Sequence, residues 1–136
     1  MAEPKGAPEA NVTVLVVDDQ APFRIAAKTA VQVTRGFDVV GEARSGEDAL
    51  EQVAALHPQL VLMDINMEGM GGIEATRRIT LEYPDARVIL LSTYDVDDLP
   101  ADARTSGAIA YIHKERFGPA VLESTWAERE HNSLKR

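Results

Sequence analysis

Cysteine is absent from the 136 residues. That excludes disulfides, thiolate metal sites and cysteine nucleophiles. No apolar stretch approaches the length of a membrane span, and the N-terminus has no long apolar region of the kind a signal peptide needs. A cytoplasmic protein with no membrane partner is the expectation. Basic residues are in the minority, 14 Lys and Arg against 22 Asp and Glu, for a net charge of −8, and they form no cluster. Such a chain is a poor candidate for direct nucleic-acid binding. The length allows one ordinary domain but not two sizeable ones. With 45% hydrophobic residues the chain can build a core.

Residues 1–10, MAEPKGAPEA, combine Pro, Ala, Gly and charge without a period, and a disordered tail is expected there. From residue 11 onward, short apolar runs alternate with amphipathic segments. Val12–Val17 reads as a strand. Phe23, Ala26, Ala27, Ala30 and Val31 recur at helical spacing, predicting a helix to about Thr34. A second strand follows over Phe37–Ala43. Ser45-Gly46-Glu47-Asp48 has the capping-box pattern ahead of Ala49, Leu50, Val53, Ala54 and Leu56, and His57-Pro58 ends that helix. Leu60–Asp64 is continuously apolar before its acid, as in a strand covered on both faces. The next helix runs from Ile73 to Glu82, with Ile73, Thr76, Ile79 and Leu81 as apolar contacts. Arg87–Ser92 is the fourth strand. A fourth helix is expected over Asp95–Ser106, with Asp98 as its cap so that Pro100 falls in the first turn; otherwise Pro100 leaves this element short or irregular. Ile109–His113 is the fifth strand, and a last helix spans about Ala120 to His131. The folded domain is taken as 11–131, with 132–136 frayed.

This alternation predicts an α/β fold with a mostly parallel sheet and helices on both faces. In such a sheet all strand C-termini lie along one edge, where ligands bind. Asp18 and Asp19 close the first strand, Asp64 the third and Ser92 the fourth, while Lys114 follows the fifth. Three acids, a hydroxyl and an amine would meet at one place, a set able to hold a divalent cation and manage a phosphoryl group. Taken singly, each residue has a commoner fate. Asp after a strand usually caps a turn, lysine is usually solvated, and a half-buried strand tyrosine such as Tyr111 usually packs. Met63, Met67 and Met70 read as core and turn filler, and Trp126 as an anchor of the last helix. His57, His113 and His131 lack ligand spacing.

Taken together, these residues resemble the receiver domain of two-component response regulators. The resemblance runs from about Val12 to Trp126 and rests on Asp18-Asp19, Asp64, Ser92 and the pair Tyr111 and Lys114, in order. FDVVGEARSGEDAL and VILLSTYD are most similar to receivers of the branch with a C-terminal helix-turn-helix. The resemblance implies a doubly wound, flavodoxin-like (β/α)5 fold with five parallel strands in the order 2-1-3-4-5. It implies a single-domain response regulator whose Asp64 takes a phosphoryl group from a sensor histidine kinase or phosphotransfer protein. By position, Asp18, Asp19, Asp64 and the Asn66 carbonyl would hold Mg²⁺, Asp18 mainly through water. Ser92 would bond a phosphoryl oxygen, and Lys114 would pair with Asp64 and then with the phosphoryl group. Transfer and hydrolysis would be self-catalysed, so the protein would be a phosphoacceptor rather than a conventional enzyme. Three acids, Lys114 and Mg²⁺ sum to about zero charge, a balanced site for phosphoryl transfer.

The resemblance further implies that Ser92 and Tyr111 form a switch. It would reshape the face of the fourth helix, fifth strand and last helix for a downstream protein or a homodimer. The chain departs from the family at Glu68, where Pro is frequent, at Gly71-Gly72, at Glu115 after Lys114, and at Pro100. Two other classes weigh less. A phosphatase with an Asp nucleophile needs a second Asp two residues on, where this chain has Asn66. A flavin-binding flavodoxin needs a Ser/Thr/Gly-rich loop after the first strand, where Asp18-Asp19 would repel phosphate. A receiver-like scaffold that binds protein without phosphorylation is a further alternative.

Overall fold

Val12–Val17 form β1, and its last four residues are buried because both faces of the strand are covered. The computed structural model of the chain describes residues 11–129. The expected tail over 1–10, the frayed end over 132–136 and the last two residues of the expected final helix lie outside the described residues. After β1 come α1 (Ala21–Gln32), β2 (Phe37–Ala43), α2 (Gly46–Leu56), β3 (Leu60–Asp64) and α3 (Gly72–Glu82). β4 (Arg87–Ser92), β5 (Ala110–His113) and α4 (Pro119–Ala127) complete the regular elements.

The strands form one sheet in the order β2-β1-β3-β4-β5, and every pairing is parallel. This is the expected 2-1-3-4-5 arrangement. Alternate residues of each strand feed two cores. Leu15, Val17, Val61, Met63, Val88 and Leu90 pack under α2 and α3, through Ala49, Val53, Ala75 and Ile79. Val14, Val16, Leu60, Leu62, Ile89 and Leu91 pack under α1 and α4, through Ala27, Val31 and Leu122. Two covered faces explain why β3 reads as an unbroken apolar run rather than an alternating one.

The helix ends follow local chemistry. Pro22 lies in the first turn of α1, where its missing N–H costs nothing. The Ser45 hydroxyl accepts from the Asp48 amide at 3.0 Å and caps α2. His57 closes that helix in the left-handed region, with φ of 49°. Several residues counted as apolar contacts face solvent instead. Ala26, Ala54 and Leu56 are exposed, and Leu81 is 77% exposed. Ile79 alone carries the end of α3 into the core.

A continuous helix over Asp95–Ser106 is not formed, and the segment takes the short, irregular alternative. Two 3₁₀ turns stand in its place, Val96–Asp98 and Ala101–Ala103. Pro100 has ψ of 142° and caps the second turn, so it separates the two rather than sitting inside a first turn. A proline cannot donate, and it drives the residue before it out of the helical region. Ala103 and Ser106 are nonetheless buried, so the segment still covers the edge of the sheet.

α4 has a single fully buried residue, Leu122. Its remaining hold on the sheet includes Trp126, edge-on to Phe37 with ring centroids 6.4 Å apart. Leu122→Ala is expected to lower the unfolding free energy by about 3 kcal/mol. Urea unfolding would register this as a lower midpoint at unchanged slope.

Candidate functional site

β1 and β3 are neighbours in the sheet, so their C-terminal acids come together. Ligand oxygens of Asp18, Asp19 and Asp64 all lie within 4.8 Å of one another. Asp18 is 1% exposed and Asp64 5%, while Asp19 faces solvent. Lys114, just past β5, reaches this point from two strands away. Its ammonium is 2.6 Å from Asp18 Oδ2 and 3.3 Å from Asp64 Oδ1. The same ammonium lies 4.6 Å from the centre of the Phe23 ring, which gives it an aromatic face as well as two carboxylates.

The backbone around these acids is held closely. Asp18 Oδ1 accepts from the Gln20 amide at 2.8 Å. Asp18 Oδ2 is buried and accepts no hydrogen bond, so the charge of Lys114 is what offsets it. Ile65 donates to the Leu91 carbonyl, and Gly72 donates to the Ile65 carbonyl. A side chain at Gly72 would meet the Asp64 carbonyl oxygen 1.9 Å away, so α3 can start here only with glycine. The loop after Asp64 is anchored at its far end, where the Met70 amide donates to Glu47 of α2 at 3.1 Å. That bond and one from its own amide hold the Glu47 carboxyl below its ordinary range.

Burial pushes the Asp64 carboxyl up to about 6, and the negative charge of Asp18 pushes the same way. Lys114 opposes both, and Asp19 adds a smaller upward push. The site therefore holds more negative charge than one lysine offsets. An all-oxygen set of three carboxylates, whose ligand oxygens lie within 4.8 Å of one another, fits Mg²⁺, which takes carboxylates and water. Asn66, exposed, lines an open cleft of about 380 Å³ with Asp19, Ile65, Met67, Glu68 and Gly71. Glu68 thus stands at the mouth of that cleft.

Ser92 is buried at the end of β4. Its hydroxyl accepts from the Tyr94 amide at 2.8 Å. Tyr111 lies 3.4 Å from the same hydroxyl and donates to the Tyr94 carbonyl. A phenol has one proton, so the carbonyl takes it and the Ser92 contact is secondary. Beyond Tyr111 opens a larger groove of about 430 Å³, lined by Asp95, Ile112, His113, Arg116 and Val121. It does not contain the acids. Charge density, not cavity size, marks the chemical site.

Arg24 escaped the sequence reading. It is buried in α1, and it donates through Nη1 to the Asp18 carbonyl at 2.8 Å and through Nε to Glu42 of β2 at 2.9 Å. Lys28 also reaches Glu42, at 2.7 Å. Helical spacing places Arg24 beside Ala27 on the inner face, and a charged residue there was the available signal.

A doubly wound parallel sheet with paired acids, a third acid and a lysine at one edge defines the CheY-like class of α/β domains. The match to the response regulator receiver domain covers residues 14–125, and the chain belongs to that family. It is 34% identical over 116 residues to the transcriptional regulatory protein DegU of Brevibacillus brevis, covering 85% of this chain and 49% of that protein. It is 36% identical over 113 residues to the response regulator protein VraR of Staphylococcus saprophyticus, covering 83% and 54%. The chain spans about half the length of these curated relatives. The signal receiver domain of the response regulator NarL from Mycobacterium tuberculosis superposes with a TM-score of 0.80 at 29% identity, covering 90% of this chain and 99% of that one. These relatives accord with the helix-turn-helix branch that the sequence resembles. No helix among the described residues is long and apolar enough to cross a membrane.

Two outcomes follow from this geometry. Gly72→Ala is expected to cost about 2–3 kcal/mol, because the new Cβ must displace the Asp64 backbone; chemical unfolding measures it. The second concerns pH. The folded value of Asp64 lies near 6 and its ordinary value is 3.8, so the unfolded chain releases its proton first as pH rises. Stability is then lost between those values and stays lost above them. In metal-free buffer at about pH 7, Asp64→Asn is expected to be more stable than the parent by about 1–2 kcal/mol after allowance for solvent screening. At about pH 3.5 the two should melt together, since neither side chain is charged.

Proposed function

We propose that this chain, over residues 11–131, is a receiver module that takes a phosphoryl group on Asp64 from the phosphohistidine of a sensor histidine kinase or phosphotransfer protein. The observation that carries this reading is the Lys114 ammonium, held between the buried carboxylates of Asp18 and Asp64. A lysine in that position balances the charge of a nucleophilic aspartate and is placed to meet an incoming phosphoryl oxygen. In the transfer, an Asp64 oxygen forms the new bond to phosphorus as the P–N bond to the donor imidazole breaks. The imidazole retains the electron pair and takes a proton.

Asp18, Asp19, Asp64 and the Asn66 carbonyl would hold Mg²⁺, which supplies charge neutralisation on the phosphoryl oxygens. Lys114 supplies a second positive charge from the other side. Ser92 has an unused hydroxyl proton, since its oxygen acts as acceptor toward Tyr94, and that proton is available to a phosphoryl oxygen. Turning the hydroxyl toward Asp64 would disturb the Tyr94 amide and, through the Tyr94 carbonyl, Tyr111. The face built by segment 95–106, β5 and α4 would then present a different surface to a downstream protein or a second copy. The acyl phosphate is labile, so hydrolysis within the same site resets the switch. Asn66 and Glu68, at the cleft mouth, stand where water approaches and would set its lifetime.

Incubation with Mg²⁺ and acetyl phosphate, followed by intact mass measurement, tests the reading. A single phosphoryl adduct is expected on the parent, none on Asp64→Asn, and none on the parent in EDTA. An unlabelled parent, under conditions that label a control receiver, would overturn the proposal in favour of a phosphorylation-independent scaffold.

A further inference from the structure

Every polar atom of Asp18 but one is already committed. Its amide donates to the Ala43 carbonyl of β2 at 3.1 Å. Its Oδ1 accepts from Gln20, and its carbonyl accepts from the buried guanidinium of Arg24. Only Oδ2 is left to face Lys114 and Asp64. The carbonyl that Arg24 holds belongs to the peptide joining Asp18 to Asp19, so fixing that peptide plane fixes where Asp19 leaves it. Asp19 has no hydrogen-bond or ion-pair partner of its own among the described residues, and its exposed side chain depends on this backbone for its direction.

Arg24 could not hold this position alone. A guanidinium with a side chain 10% exposed has given up most of its water and needs a carboxylate. Glu42 supplies one from β2, and Lys28 occupies the other Glu42 oxygen, so the carboxylate presents one oxygen to Arg24. Lys28 first and Arg24 after it hold the Glu42 carboxyl below its ordinary range. The planar fork of arginine can serve Glu42 and the Asp18 carbonyl at once, whereas the single ammonium of lysine has no such fixed geometry.

We infer that Arg24, oriented by Glu42, is a positioning residue for the metal-binding acids, setting the peptide between Asp18 and Asp19 so that both carboxylates converge with Asp64. The inference rests on the phosphoacceptor reading only for its use of Mg²⁺ at those acids. Arg24 touches neither the metal site nor a phosphoryl group; it acts through the Asp18 backbone. Partners at this remove from a metal typically affect affinity about 10–100-fold.

Calorimetric titration with Mg²⁺ alone tests it, on the parent, Arg24→Met, Arg24→Lys and Glu42→Gln. Ile79→Val, on the buried face of α3, serves as a merely destabilised control. Arg24→Met is expected to weaken Mg²⁺ binding about 10–100-fold. Arg24→Lys should recover only part of that loss, and Glu42→Gln should lose a smaller factor than Arg24→Met. Ile79→Val should bind as the parent does. Amide resonances of Asp18, Asp19 and Gln20 in the metal-free protein should shift in the Arg24 and Glu42 variants and hold still in the control. Parent-like affinity in the Arg24 and Glu42 variants, together with a lowered melting temperature, would overturn the inference and leave Arg24 with a structural role. Glu42 is half exposed at the surface, so its variant decides the matter should Arg24→Met not fold. A parent that binds no Mg²⁺ overturns this inference. A parent that binds Mg²⁺ but takes no phosphoryl group overturns the phosphoacceptor reading and leaves this one standing.

Discussion

Three carboxylates at one sheet edge repel one another, and the rest of this structure is organised around that repulsion. β1 and β3 pair side by side in the sheet, and both are buried on both faces, feeding the same two cores. Their C-terminal acids are therefore forced together whatever that costs. Lys114 offsets part of the repulsion from the far edge of the sheet. It does not offset all of it: burial first, and the charge of Asp18 after it, still push the Asp64 carboxyl up to about 6. A charge set that the fold can balance only partly is one that a cation completes, and the same imbalance makes the acids receptive to Mg²⁺.

Holding such acids in place requires supports that are themselves fixed. Asp64 is bounded by Gly72, whose missing side chain lets α3 begin against the Asp64 carbonyl. The loop between them is tied to α2 through Glu47. Asp18 is bounded by β2 on its amide side and by Arg24 on its carbonyl side. The effect of these contacts is directional. They leave Asp18 Oδ2 to face Lys114 at the place where the charges converge.

The architecture was legible because hydrophobic burial writes itself into local sequence. Unbroken apolar runs marked the strands, and the residue ending each run marked the site. Acids, serine and lysine could be assigned to one edge without coordinates, since parallel strands share a C-terminal edge. Arg24 was not legible in the same way. Its partners are Asp18, six residues earlier, and Glu42, on a strand reached only after a whole helix. Helical periodicity reports which residues share a face and says nothing of what a neighbouring strand presents to that face. Leu81 shows the converse limit, since an apolar residue at the end of a helix need not reach the core at all.

The segment over 95–106 is where local chemistry and the expected fold pull apart. Pro100 prevents a continuous helix, yet Ala103 and Ser106 are still drawn into the core, so the chain crosses the sheet edge as two short turns. Fewer backbone hydrogen bonds hold such a segment than hold a helix, which lowers the cost of moving it. Tyr94 lies at its start, and its amide and carbonyl are the groups that Ser92 and Tyr111 engage. A change at Ser92 therefore need not travel through a rigid element to reach the surface. It would act directly on the backbone at the beginning of this segment, beside the groove that Tyr111 and Asp95 line. The irregularity that proline introduces thus shortens the route by which an event at Asp64 would alter that face.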